Sequence, residues 1–284
     1  MTEVFRLSGA GNDFLALVEP NSPPTAAQMR AWCRRGVSLG ADGVFVLARE
    51  DAPATVRMDY FNSDGGAADL CVNGTRCAAQ LAFQLGWSER QVRVRTGAGT
   101  LLARQLSPVE IELEVPPPDG PPRAVELVLD TDPTAMLRGW ALRVGVPHAV
   151  IPWDGDLGSC PVATLGPPVR RHAEFPEGAN ADFVRWPTPH EMEIRTYERG
   201  VEAETLACGT GVLAAVAVGV AQGHLTLPVR ARTKGGFLLT VGGEVDVESG
   251  VVRGWSLAGD ARVLSCAETF DGAEAELPDP PEWR

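Results

Sequence analysis

Two cysteines, Cys71 and Cys208, carry the strongest chemical signal in this 284-residue sequence. Each opens a Cys-x-x-Gly, CVNG at 71–74 and CGTG at 208–211, and each stands where a helical stretch begins. A helix N-terminus presents N–H groups with no intrahelical acceptor and a partial positive charge. That setting lowers a thiol pKa and holds a carboxylate lying beside it. Two such sulfurs on opposite sides of a bound molecule suit inversion at a carbon. One, as thiolate, removes a proton from one face, and the other, as thiol, delivers a proton to the opposite face. The competing reading is of two small buried residues kept from a duplication, and Cys33, Cys77, Cys160 and Cys266 fit that plainer role. Asn12, Asn62, Asn180, Glu198, Arg199 and His148 cluster in segments rich in Gly and Pro, where Asn and Asp ordinarily close turns.

The elements that must hold these residues follow from an internal repeat. At an offset of 137, residues 71–102 and 208–239 share 11 identities in 32, with Cys71 on Cys208, Gly74 on Gly211 and Gly86 on Gly223. One long-period repeat means two similar domains rather than a solenoid. In each copy the cysteine starts a helix, Gly86 or Gly223 ends it, and a strand pair with alternating Val and Arg follows. The second helix, around VLAAVAVGVAQ, is apolar on every side and so must be enclosed. Strands wrapped around a central helix, once per half, is the expected architecture. PPPDGPP at 116–122 reads as the crossing between domains. The acidic, Pro-rich segment after Phe270 reads as an extended tail.

Composition removes other classes. With 37 acidic against 25 basic residues the net charge is −12, which opposes nucleic acid and anionic membrane surfaces. The start, MTEVFRLSGAGNDF, lacks a basic segment followed by an apolar run, which points to the cytoplasm. Six cysteines without a CxxC and four histidines without HExxH or HxxxH argue for no metal and against a disulfide scaffold. GVSLG at 36–40 matches the hydrolase G-x-S-x-G, but a helix precedes it and a strand follows, the reverse of what that elbow needs. GTGVLA at 209–214 matches a dinucleotide fingerprint, yet no acidic residue lies between Glu204 and Glu244 to hold a ribose.

Taken together, SGAGNDF (8–14), FNSDGGAADLCVNGTRC (61–77), GVPH (145–148), FPEGANADF (175–183) and YERGVEAETLACGTG (197–211) resemble the diaminopimelate epimerase family over about residues 5–270. The resemblance implies an α/β (α+β) fold of two pseudosymmetric domains, each a β-barrel-like sheet around a central helix, with the active site between them. The domains would be 1–116, completed by about 264–275, and 117–263, with a tail at 276–284. The activity implied is cofactor-independent interconversion of LL- and meso-diaminopimelate in lysine and peptidoglycan synthesis, by a cytoplasmic homodimer. Cys71 and Cys208 would be the acid/base pair, supported by His148 and Glu198. Asn12, Asn62, Asn180, Glu198 and Arg199 would bind substrate, and the backbone at Val72–Asn73 and Gly209–Thr210 would cradle the carboxylate of the reacting centre. The chain departs from the family at Val72, where a glycine is usual, at Gly66 in place of serine, and at Val146, where many members carry asparagine. A related amino-acid racemase with another substrate is therefore the alternative. A catalytically silent binding protein is a third reading, against which stands the presence of both cysteines.

Overall fold

The computed structural model describes residues 2–129, 136–245, 252–270 and 273; the tail expected at 276–284 lies outside the described residues. The chain divides into two compact units, Met1–Ile111 with Ala261–Arg284, and Glu112–Asp260. Among the described residues no helix is long and apolar enough to cross a membrane.

The first unit begins with a hairpin of Thr2–Gly9 and Asn12–Val18, turned at Ala10 (φ 52°) and Gly11 (φ 92°). Two successive positive φ values are what a two-residue hairpin loop with the right strand twist requires, so the SGAGNDF motif is a turn that sets Asn12 at a strand start. Helix α1 (Ala26–Cys33), entered through a capping box between Thr25 and Gln28, carries the chain to Gly43–Arg49, which pairs in parallel with Asn12–Val18. Thr55–Asn62 pairs antiparallel with Gly43–Arg49. Helix α2 (Val72–Gln84) then crosses to Gln91–Thr96, which lies parallel to Thr55–Asn62 and turns into Gly99–Ser107. The last strand, Arg262–Thr269, returns to pair with Thr2–Gly9.

The second unit repeats this plan. Met136–Val144 and Val146–Pro152 form a hairpin about Gly145 (φ 69°), and Arg123–Val128 flanks it. Helix α3 (Val162–Arg170) leads to Asn180–Thr188, parallel to Val146–Pro152 and antiparallel to Glu191–Glu198. Helix α4 (Gly209–Ala221) crosses to Val229–Arg232, after which Leu238–Val245 and Val252–Asp260 complete the sheet.

Each sheet has two apolar faces, as the sequence of each central helix demands. Outside the first sheet, Met29, Trp32 and Cys33 of α1 pack on Val4, Leu15, Leu17 and Val44. Outside the second, Val162 and Val169 of α3 pack on Ala149, Ile151, Ala181 and Phe183. Inside, α2 contacts Thr2–Gly9, Asn12–Val18, Thr55–Asn62, Gln91–Thr96, Gly99–Ser107 and Arg262–Thr269, while α4 is held by its own five strands. Residues Gly211–Gly219 of α4 are all buried, so enclosure on every side is met. Both central helices end at a left-handed glycine, Gly86 (φ 71°) and Gly223 (φ 75°).

Candidate active site

The strands put polar groups on the inner face of the second sheet by simple alternation. Register places His148 beside Asn180, and Asp182 beside Thr196. Asn180 and Asp182, two apart, share a face, as do Thr196 and Glu198. All of these lie under the start of α4, where Cys208 is the N-cap residue.

Cys208 is nearly fully buried. Its Sγ accepts from the Gly211 N–H at 3.4 Å, and lies 3.5 Å from Thr210 Oγ1 and 3.9 Å from Asn180 Nδ2. Burial, followed by the negative charges of Glu198 and Asp182, pushes the Cys208 thiol well above its ordinary range, while the Thr210 and Gly211 donors act the other way. Glu198 is half-buried and accepts from Thr205 Oγ1 at 2.5 Å. Burial raises its carboxyl to about 7, with Asp182 adding to the rise and Thr205, His148 and Cys208 opposing it. Asn180 Oδ1 accepts from the Arg199 N–H at 2.8 Å, and the Arg199 guanidinium donates to the Glu177 carbonyl at 3.0 Å. His148, Asn180, Glu198, Arg199, Gly209 and Thr210, each singled out from sequence, thus converge with Cys208 on one helix start.

The first unit holds a second, different group. Cys71, half-buried, is the N-cap of α2, and its Sγ accepts from the Gly74 N–H at 3.4 Å. Asn73 is buried, donates to Asn12 Oδ1 at 2.6 Å and accepts from the fully buried Arg76 at 2.7 Å. Asn12 in turn donates to Asp42 at 3.1 Å, and Asp42 and Asp13 both pair with Arg35. The Asn12 and Asn73 side chains therefore brace the α2 start. Asn62 lies exposed at the end of its strand, opposite Gly43, and its backbone closes a turn with Gly65 and Gly66. Val72 is buried beside Cys71.

Two residues that sequence reasoning passed over are Asp182 and Thr196. His148 Nδ1 lies 2.7 Å from Asp182 Oδ2, and Thr196 Oγ1 donates to Asp182 Oδ1 at 2.7 Å, all three side chains being buried. A Cβ built on Gly211 would sit 2.4 Å from Asp182 Oδ1, so only glycine lets α4 approach this carboxylate. The signal for Asp182 was the alternation Asn180-x-Asp182 in ANADF. In the first unit, register puts Phe14 opposite Gly43 and Phe45 opposite Tyr60, the places of His148, Asp182 and Thr196 in the second. There three aromatic rings pack with centroids 6.1–6.4 Å apart. One cysteine stands in a unit with a hydrogen-bonded His–Asp–Thr group, and the other in a unit with Phe14, Phe45 and Tyr60 at the same places.

Among the described residues no group of three or more His, Cys, Asp or Glu side chains is arranged to hold a metal ion. Comparison with known proteins places this arrangement in context. The sequence profile described as diaminopimelate epimerase matches residues 4–110 and 140–253. Relatives named diaminopimelate epimerase include one from Aquifex aeolicus, 33% identical over 89% of this chain and 94% of its own, and one from Methanothrix thermoacetophila, 37% identical over 83% and 87%. Among solved structures, a probable proline racemase from Agrobacterium radiobacter shares the fold with a TM-score of 0.69 at 17% identity, covering 98% of this chain and 97% of its own.

Proposed function

This chain belongs to the diaminopimelate epimerase family, and on that premise we propose that it interconverts LL- and meso-2,6-diaminopimelate with Cys71 and Cys208 as its acid/base pair. The observation that carries the reading is that both cysteines are helix N-caps with the sulfur 3.4 Å from the third residue's N–H. First-turn N–H groups at Val72–Asn73 and Gly209–Thr210 are proposed to hold the α-carboxylate, their partial charge stabilising the carbanion as its electrons spread into that carboxylate.

In one turnover, one sulfur, as thiolate, takes the α-proton and becomes a thiol. The other, as thiol, gives its proton to the opposite face and becomes a thiolate. The balance closes on two proton transfers, and the proposed chemistry calls for no cofactor. Burial beside Glu198 and Asp182 favours the protonated form of Cys208, the form in which it serves as the acid of the pair. Asn12, Asn62 and Asn180 are proposed to bind the substrate's amino and carboxylate groups and Glu198 and Arg199 to help hold its distal amino-acid centre, with His148 and Glu198 positioning or activating the cysteines. The two compact units are read as the two domains of the epimerase. A homodimer working in the cytoplasm on a small amino-acid substrate, without nucleic acid or membrane, completes the proposal.

The test is NMR of LL-diaminopimelate with the protein in deuterated water. Deuterium appears at one α-carbon as the meso form accumulates. Cys71→Ala and Cys208→Ala each abolish epimerisation while keeping a native circular-dichroism spectrum; full activity in either refutes the pair.

A further inference from the structure

We propose that Asp182 is a positioning residue for this reaction, holding His148 with its proton on Nδ1 and leaving Nε2 as the ring's one proton acceptor. The proposal deepens the role given to His148 above and rests on it. His148 and Asp182 are both fully buried, and their side chains meet at 2.7 Å. A second donor, Thr196 Oγ1, fixes the other carboxylate oxygen at 2.7 Å. The carboxylate also lies against the positive end of α4, close enough that a Cβ on Gly211 would approach Oδ1 to 2.4 Å. A hydroxyl donor and a helix N-terminus both favour the ionised carboxylate, and an ionised carboxylate accepts. The shared hydrogen therefore resides on Nδ1. Nε2 is buried, with no hydrogen-bond partner among the described residues. A buried ring nitrogen without a partner is costly and rare, and it marks an atom kept for a proton or a ligand.

The groups that govern this ring come from every element around it. Asp182 and Glu198 stand on the two strands following His148 in the sheet, Cys208 stands on α4, and the strand on the other side sets the apolar Leu142 opposite His148. Asp182 is hydrogen-bonded to the imidazole, and its charge also bears on Glu198 and Cys208. In the first unit aromatic rings occupy the corresponding places.

The experiment is long-range ¹H–¹⁵N NMR of ¹⁵N-histidine-labelled full-length protein, with kcat and KM measured alongside. In the wild type the neutral His148 ring shows a protonated Nδ1 and an unprotonated Nε2. In Asp182→Asn, whose amide can donate as well as accept, that tautomer preference is lost. There kcat falls tenfold or more with KM changed less than threefold. Thr196→Val removes the hydroxyl donor but keeps the carboxylate and so keeps the proton on Nδ1; a ring protonated on Nε2 there overturns the proposal even if Asp182→Asn fails to fold. A wild-type ring protonated on Nε2, or an Asp182→Asn protein with unchanged tautomer and unchanged kcat, overturns the proposal. Full activity in His148→Gln overturns the parent reading instead, and leaves the measured tautomer to stand or fall by itself.

Discussion

Gly211→Ala and Gly74→Ala alter the same position of the repeat by one methyl group, and the structure gives them opposite outcomes. At Gly211 the new Cβ would lie 2.4 Å from Asp182 Oδ1 and 3.3 Å from Cys208 Sγ. Ordinary contact requires Asp182 to retreat by about 1 Å, yet hydrogen bonds of 2.7 Å to His148 and Thr196 tether it. Overpacking of this kind costs about 1–3 kcal/mol. Stretching a buried hydrogen bond to a charged group forfeits part of a further ~1.5–3 kcal/mol. The gain in helix propensity returns at most about 1 kcal/mol. The net expectation is a loss of about 2–4 kcal/mol. At Gly74 the Cβ would meet Met58 Cε at 3.0 Å and Cys71 Sγ at 3.4 Å. Met58 Cε ends a flexible side chain that gives way easily, so the propensity gain survives and Gly74→Ala stays within about 1 kcal/mol of the wild type. Urea unfolding followed by circular dichroism reads both, with kcat measured at matched folded fraction. Gly211→Ala lowers the transition of the unit containing α4 and depresses kcat; Gly74→Ala does neither to a comparable degree. Equal losses in the two variants, or a neutral Gly211→Ala, would refute the placement of a tethered carboxylate beneath α4.

Val72→Gly removes a buried side chain; burial of a valine is worth about 1.5–3 kcal/mol, so chemical denaturation shows a loss of that order. Its kcat/KM for diaminopimelate stays within threefold, and a tenfold gain would instead show a pocket cramped by the valine methyls. Glu198→Gln tests the raised carboxyl. Because the folded value is about 7 against an ordinary 4.5, the native state binds the extra proton between those pH values, and wild-type stability falls as pH rises through the window. Relative to Glu198→Gln, the wild type loses on the order of 2–3 kcal/mol between pH 5 and 8, and parallel curves would negate the shift. Activity persists after dialysis against EDTA; inactivation reversed by zinc would contradict the two-thiol proposal.

Much of this was legible in the residues because repetition and periodicity are written locally. The apolar run of α4 could only be an enclosed helix, and Cys71 and Cys208 fall on N-caps because Cys-x-x-Gly precedes helical sequence in both copies. GVSLG likewise lies after α1 and before a strand, so Ser38 is no hydrolase elbow. What stayed hidden depends on contacts across sequence distance. Asp182 is a lone acidic residue in an apolar strand, and its partner His148 stands 34 residues away on a parallel neighbour, a pairing no local pattern announces. Asn12 was read for its side chain and Asn73 for its backbone; that the two side chains bond each other, and also Arg76 and Asp42, was not foreseen. Such commitments depend on which strand edges meet, and that is decided by packing rather than by neighbours in the chain.

The return of Arg262–Thr269 to pair with Thr2–Gly9 has a consequence for how the chain is made. The strand Thr2–Gly9 leaves the ribosome before the strands that follow it in the chain, yet one of its two hydrogen-bonding partners is translated only after the whole of Glu112–Asp260. At synthesis rates of about 5–20 residues per second, that delay lasts roughly 8–30 s. Through that interval the nascent sheet carries an open edge, and α2 lacks one of the strands it rests on. The second unit is continuous in sequence and needs nothing made after it. The part of the protein synthesised first is therefore the part completed last, and mutations that loosen Thr2–Gly9 act on a nascent chain at its most exposed.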